Sequence, residues 1–152
     1  MSKTITIYTD GSADNKTRIG GFGISMKAGD HYKEYCEGSY HDTTSARMEI
    51  MGVLRAIEMC TPGWKLDIYC DNRYVVDTID KGWLENWLEQ DILDQKANPD
   101  LWRQMKRQLV RHEGNVTISH VKGHNGHPQN ELCDRLANEG RLKKTIRIDK
   151  RI

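Results

Sequence analysis

Residues 4–9, Thr4-Ile5-Thr6-Ile7-Tyr8-Thr9, alternate polar and apolar side chains with period two. Their β-branched character predicts a strand, and Asp10-Gly11 ends it. Residues 20–26 and 33–39 read as two more strands, with Ala28-Gly29-Asp30 as turn chemistry between them. An opening run of this kind predicts an antiparallel meander. The period then changes: Ile50, Val53, Leu54 and Ile57 recur at helical spacing behind the capping candidates Thr43, Thr44 and Ser45, and Pro62-Gly63 stops the helix. Leu66, Ile68 and Cys70 alternate in a fourth strand over 65–70, which ends at Asp71 much as the first ends at Asp10. A short helix is expected over 74–80, followed by a Trp-rich and then acidic segment over 82–95. Asn98-Pro99-Asp100 opens another helix, whose apolar stripe is Leu101, Trp102, Met105 and Leu109. Residues 116–121 form a fifth strand, and a Gly- and His-rich loop leads to a last helix with Leu132, Cys133, Leu136 and Ala137 facing inward.

The order βββ-α-β-α-(α)-α-β-α predicts a mixed α/β domain: a five-stranded mixed sheet with helices on both faces. No repeat, low-complexity tract or linker divides it, so residues 1–140 are expected to form one domain, followed by a basic tail over 141–152. Composition agrees: 152 residues, 37% hydrophobic and 30% charged, exceed what a disordered chain offers for burial. Mean hydropathy is −0.75, and no apolar run approaches the ~20 residues of a membrane span. Cys36, Cys60, Cys70 and Cys133 lie at scattered spacings with no Cys-x-x-Cys, which favours free thiols in a reducing, cytoplasmic compartment. The formal net charge of +1 argues, at first sight, against a nucleic-acid partner.

Four acids change that picture. Asp10 and Asp71 terminate strands, where open sheets place their active sites. Glu49 precedes Gly52, Val53 and Ala56 at i+3, i+4 and i+7, so it faces the sheet, and Asp134 shares the inward pattern of the last helix. No Lys or Arg has an inward position from which to pair with all four. Buried and unpaired, such groups would cost several kcal/mol each or stay protonated. Hard divalent cations resolve the conflict, since Mg²⁺ or Mn²⁺ prefers carboxylate oxygens and a pair of them clamps both oxygens of a phosphodiester displacement. Against this stands the plainer reading of caps and surface pairs, which four acids together make less economical than one would.

His124, in the loop Gly123-His124-Asn125-Gly126-His127-Pro128, puts a titratable group beside that cluster, able to move a proton to a leaving group. A zinc site from His120, His124, His127 and Cys133 is the rival, although its spacing fits no standard zinc module. Plain loop histidines are the other alternative.

These residues fall within short motifs: Tyr8-Thr9-Asp10-Gly11-Ser12, Gly20-Gly21-Phe22-Gly23, Thr43-Thr44 with Arg47-Met48-Glu49, and Cys70-Asp71-Asn72-Arg73-Tyr74. Trp83-Leu84-Glu85-Asn86-Trp87, Asp100-Leu101-Trp102 and the run from Val121 through His124 and His127 to Asp134 complete them. In that order and spacing the sequence resembles type 1 ribonucleases H of the bacterial ribonuclease HI kind, over residues 3–140. The resemblance implies a ribonuclease H-like fold and an endonuclease that cuts the RNA strand of an RNA–DNA hybrid, leaving 3′-hydroxyl and 5′-phosphate ends. It implies that Asp10, Glu49, Asp71 and Asp134 bind two Mg²⁺ ions (Mn²⁺ as the substitute), that His124 assists protonation or product release, and that the enzyme is a monomer. Lys122 and His127 match without a clear role. Thr44, Trp83, Asn86 and Trp87 match positions that grip the DNA strand, through a phosphate pocket and an aromatic surface over the sugars. A hybrid-binding module without catalysis is the alternative, and the intact acid set argues against it.

Some positions depart from the family's pattern. Asn15-Lys16-Thr17-Arg18 replaces an Asn-Pro-Gly turn, Ser45 and Ala46 replace two amides, and Asp42 lies where a basic residue is common. Arg73 replaces a Gln and could restore a phosphate contact. Where relatives often carry a basic protrusion, residues 83–102 hold five acids against Lys96, a charge of −4. The tail over 141–152 carries +5. The tail, or the helical row Arg103, Lys106, Arg107 and Arg111, is expected to replace part of the missing basic surface. Two bound divalent ions would raise the formal total from +1 to +5, which removes the objection to a polyanionic partner.

Overall fold

The computed structural model describes residues 3–121 and 128–151. The meander is present as β1 (Thr4–Ala13), β2 (Gly20–Ala28) and β3 (His31–His41), antiparallel in both pairings. Each strand runs further than the alternation predicted, because Asp10-Gly11-Ser12 continues the β1–β2 ladder opposite Gly21, Phe22 and Gly23. Then come α1 (Ser45–Glu58), β4 (Lys65–Cys70), α2 (Arg73–Asp80), α3 (Trp83–Glu89), a 3₁₀ turn over Leu93–Gln95, α4 (Pro99–Arg111), β5 (Val116–His120) and α5 (Pro128–Arg141). Among the described residues the sheet order is β5-β4-β1-β2-β3-β6, with β4 parallel to both β1 and β5.

The expected five strands become six. Arg147–Ile148 forms β6, two residues long and parallel to β3 at Tyr40 and His41. Two residues carry no periodic signal, so nothing in the pattern distinguishes this strand from the rest of a charged tail.

The core lies between the sheet and α1, which covers one of its faces, with α4 packed on α1. Ile7, Phe22, Ile24, Leu66 and Ile68 meet Met48, Val53, Leu54 and Ile57 of α1, with Leu101, Trp102 and Met105 of α4 beyond. On the opposite face α5 lies across β1, β2 and β3. Glycine makes that approach possible: a Cβ on Gly23 would meet Leu136 Cβ at 2.5 Å and the Cys133 carbonyl oxygen at 2.7 Å. No helix among the described residues is long and apolar enough to cross a membrane. The cysteines are free, with Cys60, Cys70 and Cys133 buried and Cys36 half-buried.

Candidate active site

Sheet register brings the first two acids together. Thr9 pairs with Cys70 across parallel β1 and β4, so Asp10 and Asp71 are the next residues along adjacent strands, which run ~5 Å apart. Glu49 comes from α1, whose N-cap Thr44 accepts a hydrogen bond from the Arg47 amide at 3.1 Å. The helix lies directly on β1: a Cβ at Gly11 would come within 2.4 Å of the Glu49 backbone nitrogen. Asp134 arrives on α5 from the other face, close enough for its charge to act on Asp10. The interior of β1, the end of β4, one helix start and one helix middle thus deliver the four acids to one basin.

The electrostatics of the basin are those of crowded, desolvated acids. Burial, then the Asp71 charge, push the Asp10 carboxyl up to about 7, against the hydrogen bond from the Gly11 amide at 2.9 Å that pulls it down. Burial and the charges of Asp10 and Asp71 hold Glu49 well above the ordinary range. Glu49 Oε2 is buried and has no hydrogen-bond partner among the described residues. Oxygens of Glu49 and Asp71 and the Cys70 sulfur lie within 4.8 Å of one another. A carboxylate oxygen without a hydrogen-bond partner among the described residues, set beside other acids, is the donor set that a hard divalent ion fits. Sequence reasoning passed over Cys70; its thiol is raised by burial and by Glu49, so it enters the cluster as a neutral group.

The remaining predicted site residues are distributed around this basin. His124, with Lys122 and His127, lies outside the described residues. Thr44 is half-buried at the start of α1. Arg73 is exposed in the first turn of α2, and its guanidinium meets His120 Nδ1 at 3.1 Å. His120 Nε2 in turn donates to the Asp71 carbonyl at 3.1 Å, which fixes the tautomer that accepts from Arg73. Trp83 and Asn86 lie exposed on α3, with the Trp83 ring 6.3 Å from that of Tyr74. Trp87 is 9% exposed and belongs to the core cluster, with Lys96 over its ring. The two indoles expected to act as a pair therefore have different surroundings.

Sequence reasoning missed the residues that hold Arg47. This side chain, fully buried two positions before Glu49, donates from Nε to Asp149 Oδ2 at 2.6 Å and from Nη2 to Asp149 Oδ1 at 3.0 Å. It also donates to both Asp100 oxygens at 2.7 and 3.0 Å and to Asn98 Oδ1 at 3.2 Å. All five guanidinium hydrogens are used. Burial opposes the Arg47 charge, but the two carboxylates hold its pKa above the ordinary value. The one signal for this clamp in the sequence is Asp149, a single acid in a basic tail. The acidic segment is likewise partnered: Glu85 pairs with Lys106 and Asp94 with Arg103, both on α4. Half of the basic row expected to face substrate is thus occupied by neighbouring acids.

A family model described as RNase H matches residues 2–141. A ribonuclease H from Desulforamulus reducens is 37% identical over 153 residues, covering 98% of this chain and 94% of that one. A ribonuclease HI from Synechocystis is 37% identical over 138 residues, with 88% and 85% covered. Among solved structures, a type 1 RNase H with the type 2 active-site motif superposes with a TM-score of 0.74 at 22% identity, covering 95% of this chain and 75% of that one. The sequence match runs through the two strands and two helices that bring in the acids, and on it the chain belongs to the ribonuclease H family, as a type 1 member.

Proposed function

We propose that Asp10, Glu49, Asp71 and Asp134 hold two Mg²⁺ ions, with which the chain hydrolyses the RNA strand of an RNA–DNA hybrid to 3′-hydroxyl and 5′-phosphate ends. The observation that carries this reading is the meeting of the four acids with an unpartnered Glu49 oxygen among them. Ions bound there supply charge neutralisation at the phosphoryl oxygens and a water acidified enough to attack phosphorus. The protein's part is positional. Asp10 and Glu49, whose carboxyls crowding raises above their ordinary values, present fixed oxygens from β1 and α1. His124 protonates the departing 3′ oxygen or draws the product away. Thr44, Arg73, Trp83 and Asn86 receive the duplex backbone, with the exposed face of Trp83 packing on a sugar that lacks a 2′-oxygen. Trp87 then supports α3 from within the core.

The test is cleavage of end-labelled RNA–DNA hybrid beside RNA–RNA and DNA–DNA duplexes, with and without Mg²⁺. Hybrid-specific cleavage that requires the metal is expected. Tight hybrid binding without cleavage would favour the silent binding module, and equal cleavage of DNA would overturn the substrate assignment.

A further inference from the structure

Asp42 lies two residues before Thr44, and two arginines from distant parts of the chain flank its carboxylate. Arg18, from the β1–β2 loop, meets Oδ1 through Nε at 3.2 Å. Arg151, from the C-terminal tail, meets Oδ2 through Nη1 at 3.6 Å and donates to the Asp42 carbonyl at 2.9 Å. The backbone fixes this arrangement, since the Thr43 amide donates to the Arg18 carbonyl at 3.0 Å. Arg18 and Asp42 both adopt φ of 58°, a conformation rare for residues with side chains and concentrated at functional sites.

These ion pairs are poised to exchange. The Asp42 side chain is 68% exposed, Arg18 48% and Arg151 39%, so the pairs lie in water, where such contacts are worth ~0–1 kcal/mol. They contrast with the clamp beside them, where the Arg47 side chain is only 2% exposed. Arg151 also borders a cleft of about 350 Å³ floored by Arg47 and walled by Asn98, Pro99, Asp100 and Arg103. Arg47 and Asn98 sit at the N-terminal ends of α1 and α4, so two helix dipoles direct positive potential to this cleft.

Resting on the ribonuclease H reading, we propose that Asp42 is a stand-in counter-ion, and that a backbone phosphate of the bound duplex replaces it between Arg18 and Arg151. Two guanidiniums presented to opposite oxygens of one small anion suit a phosphate, which offers them more acceptor oxygens and a permanent charge. The C-terminal tail thereby enters the substrate site through one residue rather than as a diffuse basic arm. Asp42 is then the group that holds both arginines ready.

The experiment measures hybrid affinity against salt concentration in a non-cleaving Asp10→Asn background, with kcat and KM in the cleaving protein. Arg151→Gln is expected to weaken binding ~3–10-fold at low salt, to reduce the log–log salt slope by about 1, and to raise KM at unchanged kcat. Arg151→Lys restores most of the slope. Asp42→Asn, which tolerates the positive φ, is expected to tighten binding several-fold, the opposite of what loss of a structural ion pair would do. An unchanged salt slope in Arg151→Gln, or weaker binding in Asp42→Asn, overturns the proposal. If the parent protein fails to cleave hybrid at all, the ribonuclease H reading fails instead, and the two failures are thus distinct.

Discussion

The carboxyl groups of Asp10 on β1 and Glu49 on α1 crowd each other out of water: burial raises both, and the Asp10 charge raises Glu49 further. A ladder residue and a helix residue in this relation form a site that is strained whenever both are ionised. The strain has a measurable sign. A carboxyl group raised in the folded state stabilises the fold below its unfolded pKa of 3.8, and that contribution is lost as pH rises through the folded value of about 7. Wild type compared with Asp10→Asn, both without metal, should therefore be closest near pH 4. At pH 8 the variant should be more stable by something on the order of 3 kcal/mol, with turnover at background. Mg²⁺ should raise the melting temperature of wild type more than that of the variant. Equal metal-free stability across this range would show that Asp10 is not crowded.

Gly11 governs how close that pair can be. An added Cβ would lie 2.4 Å from the Glu49 nitrogen and the Met48 carbonyl carbon, both backbone atoms that cannot swing aside. Gly11→Ala must push α1 away from β1. The expected result is a loss of a few kcal/mol, as for overpacked cores, together with a fall in kcat larger than any rise in KM. Urea unfolding and steady-state kinetics on the same preparation separate the two effects. A variant with normal kcat would mean that Glu49 tolerates displacement.

The two tryptophans of α3 should separate in the same way. Trp87→Ala removes a ring buried in the core and is expected to cost about 3–5 kcal/mol of stability. Trp83→Ala, at an exposed ring, should shift stability by no more than about 0.5 kcal/mol while raising the KM for hybrid roughly tenfold. Should Trp83→Ala leave KM unchanged, α3 is not a substrate surface.

Much of this was legible in the residue pattern, for stateable reasons. Helix periods and the Glu49 and Asp71 positions follow from local rules, whereas Asp10, expected to end its strand, lies inside β1 because the ladder to β2 continues past it to Ala13. The split between Trp83 and Trp87 was not legible, because spacing of i, i+4 puts both rings on one side of a helix without saying where its neighbours cut that side from solvent. The Arg47 clamp was hidden for a different reason. Its partners Asp100 and Asp149 are 53 and 102 positions away, so no window of sequence contains the contact. Charge sums misled similarly: the −4 of residues 83–102 includes Glu85, Asp94 and Asp100, each neutralised by a cation from another element.

That clamp makes the tail a structural part of the enzyme, and Asp149 the residue through which it acts. Asp149→Ala would strip two hydrogen bonds from the Arg47 guanidinium and the partner of Thr43 Oγ1, which now donates to Asp149 at 2.7 Å. Removing one member of a buried ion pair costs about 3–5 kcal/mol, because the remaining charge keeps its burial without its partner. A chain ending at Gly140 should lose at least as much, so truncation there reports on folding before it reports on substrate binding. The loss should persist at high salt, which screens exposed pairs such as Arg103–Asp94 but not a guanidinium 2% exposed. Acid should mimic the mutation in part. Burial pushes Asp100 up, yet the Arg47 hydrogen bonds outweigh it and leave the carboxyl below its ordinary value. Stability from that pair is therefore present above the unfolded pKa and lost as pH falls through the lower folded one. Urea midpoints of wild type and Asp149→Ala at low and high salt decide the matter, and a difference that vanishes at high salt would show the clamp to be a surface pair in solution.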